Sequence, residues 1–170
     1  MNTQQLGENL QALIRRDVPG AAGARAEGLS PLAGGNAHRA FAFRASWEGE
    51  SRDCVLLART EPGQLDVDPR MEFDVLTRLH GRNLPVPIAL CIDADGQTLG
   101  MQGIVMERGA GRSDIGELLQ LASLITRVLA QQLAGIAAGL HGQPMARCRP
   151  CVEAGRHAAH LARTFRGSQA

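Results

Sequence analysis

The sequence predicts a single α+β domain: a five-stranded antiparallel sheet with one inserted helix, an N-terminal helix before it and a C-terminal helical segment after it. Three patterns lead there. Apolar residues recur at three- and four-residue steps near the N-terminus, fall into short strand-like runs divided by glycine and proline turns, and return to helical steps after Ser113. With 170 residues, 44% of them hydrophobic, the chain has enough material for one core and too little for two.

The first helix is read from Leu6, Leu10, Leu13 and Ile14 between Thr3 and Arg16, stopped by Val18-Pro19-Gly20. Leu29 to Leu32 is the first strand, Gly34-Gly35 the turn, and Ala37 to Trp47 the second strand, with Phe41, Phe43 and Ala45 on one face. Glu48 to Asp53 reads as a polar hairpin loop, and Cys54 to Arg59 as a third, buried strand that ends before Pro62-Gly63. Asp68-Pro69 opens the inserted helix, since a carboxylate can cap it and proline loses nothing in the first turn. Phe73, Leu76 and Leu79 mark its apolar face and Gly81 its end. A hairpin follows, with strands from Ile88 to Ile92 and from Met101 to Met106 around Asp93-Ala94-Asp95-Gly96. Ser113 caps a final stretch with helical spacing through Leu140, read as one long helix or two broken near Ser123.

Composition excludes several function classes. The 18 basic residues are all arginine, so chemistry that needs a lysine in its usual form is absent. A net charge of +1 makes no field for nucleic acid or a membrane surface, and neither is expected as a partner. There is no signal-like start and no apolar run long enough to span a bilayer, and four cysteines do not make a disulfide scaffold. A cytoplasmic protein is expected.

Several local sequences together resemble the small lobe of protein-kinase-like folds, and more narrowly the aminoglycoside phosphotransferase-like family. They are Leu32-Ala33-Gly34-Gly35-Asn36-Ala37-His38-Arg39, Arg59 with Pro62-Gly63, Met71-Glu72-Phe73 ahead of Leu84-Pro85-Val86-Pro87, and Gly103-Ile104-Val105-Met106-Glu107. The branch they look like is the one related to acyl-CoA dehydrogenase-fused phosphotransferases, over roughly residues 28 to 141. The resemblance implies ATP as cofactor and assigns its contacts. Gly34, Gly35 and Asn36 would cover the phosphates, Arg59 would stand for the kinase lysine with Glu72 as its ion-pair partner, and Met106 and Glu107 would bring backbone groups to the adenine edge. A plain hairpin turn at Gly34-Gly35 and a rim salt bridge at Arg59 are the alternatives. His38 stands where family members often carry Asn.

Phosphoryl transfer also needs a carboxylate to position the acceptor and oxygen ligands for Mg²⁺. In the family these come from a loop of the form H-G-D-x-x-x-x-N and a later Asp. No Asp occurs here after Asp114 and no Asn after Asn83, while Glu117 and Glu153 are the only acids beyond Asp114. The expectation is a truncated phosphotransferase-like protein that keeps the ATP-side lobe and lacks the catalytic residues and Mg²⁺ ligands. A non-catalytic module docking a partner chain through the exposed interlobe surface is the competing reading. The expected partners are a second copy or a separate large-lobe chain.

The expected organisation is an N-terminal helix and link over 1–27, the kinase-like lobe over 28–110, a helical segment over 111–142 and a basic tail over 143–170. The tail carries five Arg against a single acid, Glu153, and an out-of-frame origin is one explanation for it. Cys148, Cys151, His157 and His160 supply zinc-type ligands, but the pairs stand too close for a zinc finger, so no metal site is assigned. Residues 1 to 110 are expected to form the stable unit, and 145 to 170 to be mobile. The helix after Ser113 is expected to pair with a second copy or dock loosely.

Overall fold

The computed structural model describes residues 2–32, 39–59, 68–80, 82, 84–111 and 123–142. Helix α1 spans Thr3–Asp17; strands β1 (Arg25–Leu32), β2 (Arg39–Trp47) and β3 (Glu50–Ala58) follow, then helix α2 (Pro69–His80), β4 (Ala89–Asp93), β5 (Gly103–Glu107) and helix α3 (Ser123–His141). The five strands form one sheet in the order β1-β2-β3-β5-β4, every neighbouring pair antiparallel. This is the expected sheet with its inserted helix.

Each face of the sheet has its own helix. Strand side chains alternate between faces, so Phe43, Ala45 and Trp47 of β2, Cys54, Leu56 and Ala58 of β3 and Val105 of β5 share one face, where they form the main core with Leu6, Leu10, Leu13 and Ile14 of α1. The Asn2 side chain caps α1 by accepting from the Gln4 N–H at 3.0 Å. On the opposite face Phe73 of α2 packs with Ala89, Ile104 and Met106, joined by half-buried Val55, Leu57, Leu76 and Ile92. Among the described residues α2 packs mainly over β4 and β5 and reaches Val55 and Leu57 of β3, so the β1–β2 part of its face is the part least covered by a described helix.

Strands β4 and β5 are shifted by one or two residues from the sequence reading, and two boundaries differ more. The polar stretch read as a loop from Glu48 to Asp53 is a two-residue turn, and β3 begins at Glu50, with Trp47 opposite Glu50. Glu48 and Gly49 both have positive φ, at 47° and 83°, the pattern of a primed hairpin turn whose twist suits the flanking strands. Charged residues then continue the strand because they pair across it: Arg44 meets Asp53 at 2.9 Å from the directly opposite position. Strand β1 also begins four residues earlier than read, at Arg25. A bulge between Glu27 and Ser30, with Gly28 at a φ of 68°, interrupts the alternation there. Strand β1 is an edge of the sheet, and Pro31 near its end removes a backbone donor.

The turn between β4 and β5 is tied down by Asp93, the one buried charged residue among those described. Its carboxylate accepts the backbone N–H groups of Thr98 and Leu99 at 2.8 and 2.6 Å, and a buried charge is tolerated when such bonds replace its water. Arg70 of α2 reaches Asp95 of the same turn at 2.6 Å.

Helix α3 is the exception to this packing. Every described side chain on it is exposed except Ala137 and Gly139, which are half-buried, and Leu133 is 69% exposed. Near its end a Cβ added at Gly139 would lie 3.4 Å from the Leu84 side chain, which locates that end beside the connection from α2 to β4. No helix among the described residues is long and apolar enough to cross a membrane. The expected start of the last helix at Ser113, the Pro62-Gly63 breaker, Gly81 and the 143–170 tail lie outside the described residues.

Two cysteines lie in the main core, and burial pushes the Cys54 thiol from an ordinary 9.0 up to about 12 and Cys91 well above 9.0. Unfolded thiols ionise near pH ~9 while these stay protonated, so above that pH the native state holds more protons and stability falls as pH rises. Denaturation midpoints are therefore expected to drop on the alkaline side of pH ~9. Mass-mapped labelling should find both thiols protected until the chain is unfolded; fast native labelling of either would contradict this.

Candidate functional site

The β2–β3 part of the α2-side face has a definite chemistry. Residues on β3 alternate so that Val55, Leu57 and Arg59 lie on this face, with Ala40 and Ala42 of β2 opposite Leu57 and Val55 and Met106 of β5 on the other side of Val55. Ala40, Val55 and Leu57 are half-buried and make an apolar floor.

A guanidinium stands at one end of that floor. The Arg59 backbone N–H donates to Gln102 O at 2.9 Å, which continues the sheet one residue past β3. Its side chain reaches α2, where Nη2 meets Oε2 of Glu72 at 3.4 Å. Arg59 is 16% exposed and Glu72 33%, so the pair is screened less than a rim salt bridge. Three features place Glu72: Pro69 starts the helix, the Asp68 side chain caps it by accepting from the Arg70 N–H at 2.9 Å, and Phe73 anchors the next residue in the core.

The described ends of β1 and β2, Leu32 and Arg39, lie at the same end of the sheet as Arg59, since Leu32 pairs with Ala40 and Arg39 with Ala58. Gly34, Gly35 and Asn36, which join them, lie outside the described residues, as do Cys148, Cys151, His157 and His160. Among the described residues no three His, Cys, Asp or Glu side chains come together as a metal site.

The other end of the floor is the C-terminus of β5. Met106 is buried on the floor side. Glu107, opposite Cys54, turns its side chain to the α1 face, where Arg52 binds its carboxylate. Its backbone N–H donates to Ile88 O at 2.8 Å, and the Arg108 N–H donates to Asp53 O at 2.8 Å. Beside this strand end the Arg44 guanidinium, by its hydrogen bond, holds the Asp53 carboxyl below its ordinary range.

Of the residues singled out from sequence, the structure thus brings Arg59 and Glu72 together and sets Met106 and Glu107 about four strand residues away, roughly 13 Å along the floor at ~3.3 Å per residue. Sequence reasoning missed the floor residues Ala40, Val55 and Leu57. The signal was available, because they are the positions two and four residues before Arg59 and the one facing them.

Sheet order, inserted helix and the basic–acidic pair between third strand and helix define the small lobe of a protein-kinase-like fold. The chain belongs to the phosphotransferase enzyme family, whose profile matches residues 28–169. A solved structure from Ralstonia eutropha JMP134, described as a "putative aminoglycoside phosphotransferase", is 26% identical over 62% of this chain, with a TM-score of 0.41. This chain covers 28% of that structure's length. No curated protein matches it.

Proposed function

We propose that this chain is the nucleotide-side lobe of a small-molecule kinase, binds ATP on the face between Arg59 and the end of β5, and does not transfer phosphate by itself. The observation that carries the reading is the Arg59–Glu72 pair at the end of an apolar floor. A guanidinium presents a planar fork of donors, so one edge can hold Glu72 while another meets a phosphate oxygen. The apolar floor suits an adenine ring, and the backbone from Glu107 to Gly109 would meet its edge. Bound ATP would supply the transferable phosphoryl group; Arg59 and Glu72 orient it, and the Gly34-Gly35-Asn36 turn would contribute backbone N–H groups.

Absence of transfer follows from residue types. A base for the acceptor and oxygen ligands for Mg²⁺ are needed, and beyond Asp114 the chain offers only Glu117 and Glu153 as acids. The branch related to acyl-CoA dehydrogenase-fused phosphotransferases and a cytoplasmic setting belong to the same proposal.

The test is ligand-induced stabilisation, since a ligand bound only by the native state raises the unfolding midpoint with concentration. ATP is expected to raise the midpoint, and Arg59→Ala to weaken apparent ATP affinity by about ten- to a hundredfold, the scale of a lost charge-assisted contact. ATP with Mg²⁺ and aminoglycosides, choline or sugars should give no turnover. An unchanged midpoint at saturating ATP refutes nucleotide binding, and Mg²⁺-dependent turnover that survives repurification refutes the inactivity.

A second reading has one observation in its favour. Ile125, Val128, Leu129, Leu133, Ile136 and Leu140 of α3 are all exposed, which suits a module that docks a second copy or a separate large-lobe chain. Such a module would ignore ATP and associate through α3, so the same midpoint measurement, with light scattering, separates the two.

A further inference from the structure

We propose that Arg52 is a positioning residue for base recognition, holding the end of β5 in register from the face opposite the nucleotide. The inference rests on the nucleotide reading above. Arg52 lies on the α1 face of β3, opposite Ala45, and so cannot touch a ligand on the floor side. Its guanidinium nevertheless spans two strands: Nη1 meets the Glu107 carboxylate on β5 and Nη2 meets Oε2 of Glu50 at 3.2 Å. It also lies over the indole of Trp47, 5.8 Å from the ring centroid, and Trp47 is itself buried in the main core.

The strand end that Arg52 grips is the one whose backbone would read the base. The N–H groups of Glu107 and Arg108 are already directed to opposite sides, one to Ile88 O and the other to Asp53 O. Those bonds set the two peptide planes, while the side-chain grip at Glu107 sets where the strand end lies relative to the β2–β3 hairpin. A forked cation between two carboxylates and an aromatic ring is a stiff tie, because guanidinium donors are pre-organised in one plane. Chain that meets a base edge at hydrogen-bond distance needs such support, since a shift of a few tenths of an ångström weakens those bonds.

The experiment compares ATP, GTP and inorganic tripolyphosphate as ligands of the wild type and of Arg52→Ala, Arg52→Lys and Arg59→Ala, with far-UV circular dichroism confirming the fold. The wild type is expected to prefer ATP over GTP. Arg52→Ala should lose roughly tenfold in ATP affinity and most of the ATP-over-GTP ratio while tripolyphosphate affinity stays unchanged, whereas Arg59→Ala should weaken all three ligands. If Arg52→Ala fails to fold, Arg52→Lys keeps the charge without the fork and should still lower the ratio. A folded Arg52 variant with an unchanged ATP-to-GTP ratio overturns the inference and leaves the nucleotide reading intact, as does a wild type that binds both nucleotides equally. Failure of the wild type to bind either nucleotide refutes the nucleotide reading itself and the inference with it.

Discussion

Phe73→Ala should destabilise the protein by about 3–5 kcal/mol, the usual cost of emptying a buried aromatic site. Phe73 is 2% exposed and is the largest side chain that α2 buries, with Pro69 the other buried residue of that helix. Met71 and Val75 point outward at 52% and 39% exposure and add little to the seating of the helix. Other ties of α2 include the half-buried Leu76 in the same cluster and two partly solvated polar contacts, Arg70 to Asp95 and Glu72 to Arg59. With the ring gone, the helix loses its anchor one residue from Glu72, so the Arg59 pair should loosen as well. Urea denaturation should show the loss in midpoint, and the variant that remains folded should show weaker stabilisation by ATP. A loss below about 1 kcal/mol would mean that α2 is not seated by this residue.

Leu10→Ala should cost about 2–5 kcal/mol, for a cavity opened at the centre of the main core. Leu10 is fully buried, as are Leu13 and Ile14 one turn along α1, and together with Leu6 they cover the sheet face formed by β2 to β5. Apart from the Arg52–Glu107 grip, this face carries no part of the proposed nucleotide site. The two substitutions therefore separate by readout: Leu10→Ala should lower the unfolding midpoint while leaving the increment given by ATP unchanged, and Phe73→Ala should reduce both. An equal fall in the ATP increment for Leu10→Ala would show that the two faces are energetically coupled.

The elements that sequence patterns resolved are those whose packing is one-sided and uninterrupted. Helix α1 shows its buried stripe at Leu6, Leu10, Leu13 and Ile14 because the opposite side is solvated, and α2 carries both a cap and a proline at its start. The start of β3 was hidden because Arg52 and Asp53 look like loop residues until their cross-strand partners are known. The hairpin loop read from Glu48 is too long, since glutamate is not a residue expected at positive φ and so does not mark a two-residue turn. The Arg59–Glu72 pair was legible through family resemblance, while the grip of Arg52 on Glu107 joins residues 55 apart and has no local pattern.

The outer strand β1 bears on how copies of the chain can meet. A bare sheet edge invites cross-β growth, in which each added chain continues the ladder of the one before. Here Gly28 breaks the spacing of that ladder, Pro31 deletes one of its donors, and Arg25 and Glu27 place charges beside it. An incoming strand finds no unbroken template on that side. The opposite border, β4, is only five residues long. Fibril-type stacking is thereby disfavoured at both borders of the sheet.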